Sequence, residues 1–274
     1  MFIKKGVVIQ VMITQLLILT GCLVYPIGND QKIIIIAPPK SGAHLAADLV
    51  SALTGRTYIF NQTCQNVDHT ALTQDVLMRP SSFFHGTHIF HTKENKEALK
   101  TYKGIFVMRD PRDVAISFAL LIKESSTWSK LLHFNVSKEK LISKLVRKFS
   151  IEAPGWSNST IDALPTGNEF YRAYWGWKDE PNMLLVTYED LIGRSGGGSG
   201  SKQLDAIAAI ADHLEIPLDV KSLKKIARSF IDKKSIHNKI GAWKDHFTEK
   251  NIAEYKEVIG QLLIDMGYEK DFNW

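Results

Sequence analysis

Three short apolar runs, each followed by a turn and then by a helical pattern, constrain the fold of this chain most strongly. The runs occupy residues 32–37 (KIIIIA), 104–108 (GIFVM) and 183–187 (MLLVT). Short runs rich in branched apolar side chains are typical of strands buried on both faces of a parallel sheet. Strand, turn and helix repeated in this way predict an α/β, three-layer fold in which helices flank a central parallel sheet.

Helical periodicity accounts for much of the remaining sequence. Apolar residues recur at helical spacing from Leu45 onward, and a helix is predicted to begin near Asp113. Residues 122–165 carry few strand signals and are predicted to be helix or loop. Residues 195–201 (SGGGSGS) have the composition of a flexible linker, and we interpret them as a surface loop. Further helices are predicted at residues 201–214, 221–230 and 249–266.

The first 28 residues predict a membrane-targeting segment, separate from a single domain over residues 29–274. Two lysines precede an almost wholly apolar stretch at residues 6–20, which is the pattern of a signal peptide or membrane anchor. The stretch leads into residues 19–22 (LTGC), similar to the lipidation motif of bacterial lipoproteins; uncleaved, residues 6–27 are about long enough to span a bilayer. We predict membrane association through this segment and leave the side of the membrane open.

Composition and charge exclude several classes of site. The formal net charge of +5 suits an anionic ligand, and the absence of basic runs interleaved with aromatic residues argues against a nucleic-acid partner. Cys22 and Cys64 form no Cys-x-x-Cys pair, which argues against structural zinc or a redox dithiol. His85, His88 and His91 share a spacing of three, but no carboxylate or cysteine constellation accompanies them. We therefore predict no metal, and polar strand and loop positions for His85 and His91.

The first candidate motif, residues 37–44 (APPKSGAH), joins a buried strand to a helix. A turn at this position directs backbone N–H groups and the positive end of a helix toward one point, which suits a phosphate group. Gly42 permits close backbone approach and Lys40 adds a full charge. The motif lacks the Gly-x-x-x-x-Gly-Lys-Ser/Thr pattern of a Walker A loop.

The second candidate motif, residues 107–118 (VMRDPRDVAISF), also leaves a strand for a helix. Arg109 lies at the carboxyl end of the strand, where open α/β sheets bind their ligands. Ser117 lies about one helical turn into the following helix and can reach back toward the same crevice. Asp110 and Pro111 supply a helix start, and Asp113 is open to a purely structural interpretation.

These motifs, together with three later blocks in the same order, resemble the sulfotransferase family, including a mainly bacterial branch. The resemblance covers nearly all of residues 32–274. It implies a three-layer sulfotransferase fold and an enzyme that transfers a sulfuryl group from 3′-phosphoadenosine 5′-phosphosulfate (PAPS) to an acceptor hydroxyl or amine, without a metal. The matching blocks are residues 39–42 (PKSG), 87–88 (TH), 109–117 (RDPRDVAIS), 188–191 (YEDL) and 241–248 (GAWKDHFT), and the chain ends similarly at residues 267–274 (GYEKDFNW).

The resemblance assigns roles to individual residues. Lys40 is expected to stabilise charge on the departing nucleotide, and His88 is expected to be the general base that takes the acceptor's proton. Trp243 is expected to pack against the nucleotide-binding side. The donor-binding residues implied by the resemblance are Lys40, Ser41, Gly42, Ala43 and His44 around the 5′-phosphate, Arg109 and Ser117 at the 3′-phosphate, Tyr188 near the adenine, and His237, Asn238 and Lys239 before the last block.

The chain departs from the family pattern at three places. Ala43 and His44 stand where the first loop usually continues with a threonine, so one hydroxyl for the 5′-phosphate is missing. Residues 236–238 (IHN) replace the usual Arg-Lys-Gly clamp on the 3′-phosphate, and His237 or Lys239 can compensate only in part. Gly86 stands where a lysine often lies two residues before the general base.

These departures leave a second function open: a degenerate sulfotransferase-like domain that binds nucleotide or acceptor without efficient catalysis. A nucleotide kinase or hydrolase would need a true phosphate loop and magnesium ligands, and a purely structural lipoprotein would leave the ordered blocks unexplained. The sequence does not identify the acceptor, which is expected to be a small molecule or a glycan bound by residues 61–85 and 122–165. The oligomeric state is not readable.

Overall fold

The strands and helices alternate along the chain as the apolar runs predict. The computed structural model describes residues 31–60, 83–124, 137–147, 166–229 and 239–274. The strands are β1 (Ile33–Ile36), β2 (Thr57–Phe60), β3 (Phe83–Thr87), β4 (Lys103–Met108) and β5 (Met183–Thr187). The helices are α1 (Ala43–Thr54), α2 (Lys93–Leu99), α3 (Pro111–Glu124), α4 (Lys138–Arg147), α5 (Gly167–Trp175), α6 (Tyr188–Ile192), α7 (Gly200–His213), α8 (Val220–Ser229) and α9 (Glu249–Asp265).

The five strands form one sheet in the order β2-β3-β1-β4-β5, and every neighbouring pair is parallel. β1 is central, and all four of its isoleucines are at most 1% exposed. A strand covered on both faces needs apolar side chains on both, which explains why this run is continuous rather than alternating.

Alternate residues of the central strands pack into two separate hydrophobic cores, one on each face of the sheet. Ile34 and Ile36 of β1 lie in one core with side chains from α3, α4, α5 and α9. Ile33 and Ile35 lie in the other core, with side chains from α1, α7 and α8. Helices therefore cover both faces of the parallel sheet, and the predicted three-layer α/β fold is confirmed.

The chain changes its winding direction between the two central strands. The helix after β1 packs on one face of the sheet, whereas the helix after β4 packs on the other. At such a switch point the two connections diverge and leave a crevice outside the carboxyl ends of the strands. The two candidate motifs are the connections that border this crevice.

β2 was not predicted from the sequence, and β3 was indicated only by the polar strand position expected for His85. Both differ from the buried central strands in their composition. β2 lies at the edge of the sheet and has only four residues. β3 (FFHGT) ends in a histidine, a glycine and a threonine. Neither strand is therefore a continuous run of branched apolar residues. The predicted helices at 201–214, 221–230 and 249–266 correspond to α7, α8 and α9.

Residues 195–201, which the sequence predicts to be a surface loop, form an ordered connection whose last two residues already belong to α7. Residues 193–196 form a turn of 3-10 helix, and the N–H of Gly198 donates to the Gly193 carbonyl at 2.8 Å. A Cβ atom on Gly198 would lie 2.7 Å from the Glu189 carbonyl oxygen. The N–H of Ile240 donates to Gly196 at 2.9 Å. The glycines therefore serve close backbone packing in an ordered connection.

The membrane-targeting segment predicted at residues 1–28 lies outside the described residues, and so does most of the region at residues 122–165. No helix within the described ranges is both long and apolar enough to cross a bilayer. Membrane association therefore stays a prediction.

Candidate active site at the carboxyl edge of the sheet

The turn after β1 has the backbone geometry that its sequence suggests. The N–H of Ser41 donates to the Pro38 carbonyl at 3.1 Å, and both Lys40 (φ 66°) and Gly42 (φ 99°) adopt left-handed conformations. Gly42 is the N-cap of α1 and provides no side-chain cap. The first N–H groups of this 12-residue helix are therefore directed at the crevice without a side-chain acceptor from the cap residue, which is the arrangement that favours an anion.

Ser41 contributes a polar group that the described protein does not satisfy. The residue is 0% exposed, and its Oγ has no hydrogen-bond partner among the described residues. Buried hydroxyl groups are nearly always hydrogen-bonded, so an orphan at a functional turn requires an explanation. A phosphate oxygen bound at the turn would provide the missing acceptor.

Arg109, Tyr188 and Gly42 form a layered contact across the crevice. A Cβ atom on Gly42 would lie 2.6 Å from the Tyr188 ring, so only glycine lets this ring approach the turn. The guanidinium carbon of Arg109 lies 4.2 Å from the centroid of the same ring. This cation–π contact places a positive group beside the turn at residues 38–42, here called the Lys40 turn.

Arg109 also joins three segments through its own hydrogen bonds. It is 2% exposed, and its guanidinium donates to the carbonyls of Lys40 (3.4 Å) and Lys239 (3.5 Å). Burial, and then repulsion from Arg109, lower the pKa of the Lys40 ammonium. Two cationic groups brought together in this way form a positive crevice. Ser117, on α3, is buried.

His88 lies just beyond the carboxyl end of β3, on the other side of β1 from Arg109. Its Nδ1 is 2.6 Å from the carbonyl oxygen of Ala37. Because a carbonyl oxygen can only accept, Nδ1 carries the hydrogen in the neutral ring, and Nε2 has the lone pair. Burial lowers the pKa of His88 to about 4, against the opposing effect of the Ala37 hydrogen bond. The imidazole is therefore neutral at ordinary pH.

Two of the other predicted donor-binding residues, His44 and Lys239, are exposed. His44 is exposed on α1 and packs edge-on against Tyr58 at 6.3 Å. His237 and Asn238 lie outside the described residues. Lys239 has its backbone beside Arg109, but its ammonium lies on the surface, 2.7 Å from Asp245. The position of this ammonium group therefore does not support the expectation that Lys239 replaces the Arg-Lys-Gly clamp on the 3′-phosphate.

His91 has a structural environment, as predicted. Its Nε2 lies 2.8 Å from the carboxylate of Glu180, and its ring contacts Trp177. Of His85 only the backbone position in β3 is described. No group of three or more potential metal ligands occurs in the described parts of the chain.

Asp113 is a residue of the site whose role the sequence left open. It is 1% exposed, and its carboxylate accepts hydrogen bonds from the backbone N–H groups of Gly241 (2.7 Å) and Trp243 (3.0 Å). Burial, and then Asp110, raise the pKa of this carboxyl group, while the two backbone donors lower it. Asp113 therefore ties the start of α3 to the segment that follows Lys239.

We predict that Asp113→Asn destabilises the protein by about 1–3 kcal/mol, because the amide offers one acceptor oxygen and leaves a buried N–H unsatisfied. Urea denaturation gives the free energy of unfolding. The matched control is Asp245→Asn, which alters an exposed carboxylate of the same segment and should leave stability close to that of the parent. Equal stability of the two variants would contradict the role of Asp113.

Comparison with known proteins agrees with this architecture. Mouse sulfotransferase SULT7A1 complexed with PAP aligns over 90% of each chain with a TM-score of 0.62 and 15% identity. Retinol dehydratase in complex with androsterone and inactive cofactor PAP aligns over 85% of this chain and 81% of that chain, with a TM-score of 0.55 and 19% identity. At these identities the likeness establishes the fold.

No curated protein matches the chain in sequence. The Sulfotransferase domain family, in contrast, matches residues 30–235. That match covers well over half of the sequence and includes both connections that border the crevice. The chain therefore belongs to the sulfotransferase domain family.

Proposed function

We propose that this protein is a PAPS-dependent sulfotransferase that transfers a sulfuryl group to a hydroxyl or amine of a small molecule or glycan. The observation that carries the proposal is the placement of the Lys40 turn and Arg109 on either side of one switch-point crevice. Membership of the family supports sulfuryl transfer in general, and structural neighbours complexed with PAP support the nucleotide class of the donor.

The donor would be held at two anionic ends. The turn at residues 38–42 supplies backbone N–H groups, the Ser41 hydroxyl and the Lys40 ammonium for the 5′-phosphosulfate. Arg109 and Ser117 would hold the 3′-phosphate, with Tyr188 beside the adenine. The orphan Ser41 Oγ and the close approach allowed by Gly42 support this fit. The missing threonine and Arg-Lys-Gly clamp would weaken binding without removing Arg109.

The chemistry requires positioning and charge stabilisation rather than a metal. In sulfuryl transfer the acceptor oxygen or nitrogen attacks sulfur in line with the departing bridging oxygen. Lys40 would neutralise the charge that develops on that oxygen. His88 would accept the acceptor's proton at Nε2, since its Nδ1–H donates to Ala37 and fixes the tautomer.

The N-terminal segment, residues 1–28, would attach the enzyme to a membrane as a signal, lipidated or uncleaved anchor segment. This proposal rests on the apolar sequence alone. It concerns location and is independent of the donor site.

We predict that 3′-phosphoadenosine 5′-phosphate (PAP) raises the melting temperature of residues 30–274. At a concentration 100 times the dissociation constant, the added stability is about 2.7 kcal/mol, which corresponds to about 5–11 °C for a domain of this size. Arg109→Ala should abolish the rise, and Arg172→Ala, which removes an exposed arginine paired with Asp265, should not. No shift at millimolar PAP would favour the degenerate, non-catalytic alternative.

We predict that Lys40→Met lowers kcat by about 10²–10³ and that His88→Asn lowers it by about 10²–10⁴. The asparagine keeps a donor for the Ala37 carbonyl and removes only the basic Nε2. Transfer is measured as PAP released from PAPS with an acceptor found by screening. His91→Asn is the histidine control and should retain turnover within a few-fold. Near-normal turnover in both site variants would contradict the assigned roles.

The lowered pKa of His88 predicts an unusual pH profile. Catalysis needs the neutral ring, and protonation occurs only as the pH falls through the folded-state pKa of about 4. We therefore expect kcat/KM to fall on the acid side of the profile with a midpoint near pH 4. Tryptophan fluorescence at each pH checks that the protein is still folded. A midpoint near the unperturbed histidine value of about 6.5 would contradict this environment.

A further inference from the structure

We propose that residues 268–274, here called the strap, position Arg109 for the 3′-phosphate of the donor. The strap follows α9 and lies against the residues that flank Arg109, while the donor's other end would bind at the Lys40 turn. The inference rests on the proposed donor site. It assigns a positioning role to a segment that lies outside the two candidate motifs in the sequence.

The backbone after Arg109 is held by a carboxylate from another element. The N–H of Asp110 donates to Oε1 of Glu189 at 3.0 Å. Glu189 directly follows Tyr188, whose ring stacks on the Arg109 guanidinium. One short stretch of α6 therefore contacts both the backbone next to Arg109 and the side chain of Arg109 itself.

The strap makes its first contact through this same carboxylate. The hydroxyl of Tyr268 donates to Oε2 of Glu189 at 3.3 Å. The two oxygens of Glu189 therefore link the strap to the N–H of Asp110. Burial raises the pKa of Glu189 to about 7, and in such a weakly polar environment each hydrogen bond to the group has more effect on its position.

The second contact is a buried arginine at the start of α3. Arg112 is 2% exposed, and its guanidinium donates to both carboxylate oxygens of Asp110 and to Glu269 of the strap. Its guanidinium carbon lies 4.0 Å from the centroid of Trp243 and 4.5 Å from that of Trp274, in the corner formed by these two nearly perpendicular indole rings. The strap therefore supplies both a carboxylate and an aromatic face to this cation.

The strap is itself placed by α9 rather than by the donor site. Gly267 (φ 78°) reverses the chain at the end of the helix, and the N–H groups of Tyr268 and Glu269 donate to Leu263 at 2.9 and 3.2 Å. Gly260 leaves room for the Phe272 ring, which a Cβ atom would approach to 2.5 Å. A segment anchored in this way can act as a fixed support.

The strap holds two groups next to Arg109: Glu189, whose neighbour Tyr188 stacks on the Arg109 guanidinium, and the Arg112–Asp110 pair, which directly follows Arg109 in the chain. Loosening either group should shift the guanidinium more than the Lys40 turn, because the turn is also held by its own Ser41–Pro38 backbone hydrogen bond. The expected signature is a loss of affinity for nucleotides that carry a 3′-phosphate, with no change for those that lack it. A general loss of stability would weaken both classes equally.

The test is calorimetric titration of PAP and of adenosine 5′-monophosphate (AMP) into the folded protein and two variants. Glu269→Gln removes the charge that pairs with Arg112, and Tyr268→Phe removes only the hydroxyl on Glu189. We expect each to weaken PAP binding by about three- to tenfold and to leave AMP binding within about twofold. Asp265→Asn is the matched control, because it removes a carboxylate that pairs with Arg172 at the end of the same helix.

Unchanged PAP affinity in both variants, or equal weakening of PAP and AMP, would overturn the role of the strap. If Glu269→Gln does not fold, Tyr268→Phe decides, since it keeps the ring and all charges. A wild-type protein that does not distinguish PAP from AMP would instead refute the proposed donor site. The two failures are therefore distinct.

Discussion

The change of winding direction between β1 and β4 is the constraint on which the site depends. The helices after these two strands pack on opposite faces of the sheet, so their connections separate at its carboxyl edge. One connection brings the Lys40 turn and the other brings Arg109. A chain that wound only one way would place a helix over this edge and close the crevice. The positive groups therefore lie together because of topology, although 69 residues separate them in sequence.

Concentrating positive charge in a buried crevice is unfavourable, and the surrounding structure offsets it. Arg109 stacks on Tyr188, and Arg112 contacts two nearly perpendicular indole rings and the carboxylates of Asp110 and Glu269. Asp113 turns its carboxylate to the backbone N–H groups of Gly241 and Trp243. The acidic residues around Arg109 thus bind backbone groups and Arg112 and define the shape of the crevice. This arrangement leaves an anion as the natural ligand of the Lys40 turn.

The fold could be predicted from the sequence where burial makes a strand continuously apolar, as in β1, β4 and β5. β2 was not predicted and β3 was indicated only at His85, because an edge strand and a strand with polar residues lack that signal. The site motifs were recognisable because Lys40 and Arg109 each occur at a strand–helix connection. The pairings of Asp113 with Gly241 and of Glu189 with Tyr268 join residues far apart in the sequence, and no local pattern reveals them. Tertiary contacts also determine the close packing of Gly193 and Gly198 and the burial that lowers the pKa of His88, and composition does not show such contacts.

A crystal structure of the complex with PAP would test the central claim most directly. The account predicts the 5′-phosphate at the N–H groups of the Lys40 turn, hydrogen-bonded to Ser41, and the 3′-phosphate at Arg109 and Ser117. His88 should then lie on the side of the turn where an acceptor can approach the sulfuryl position. A nucleotide bound elsewhere, or with its 3′-phosphate away from Arg109, would contradict the account.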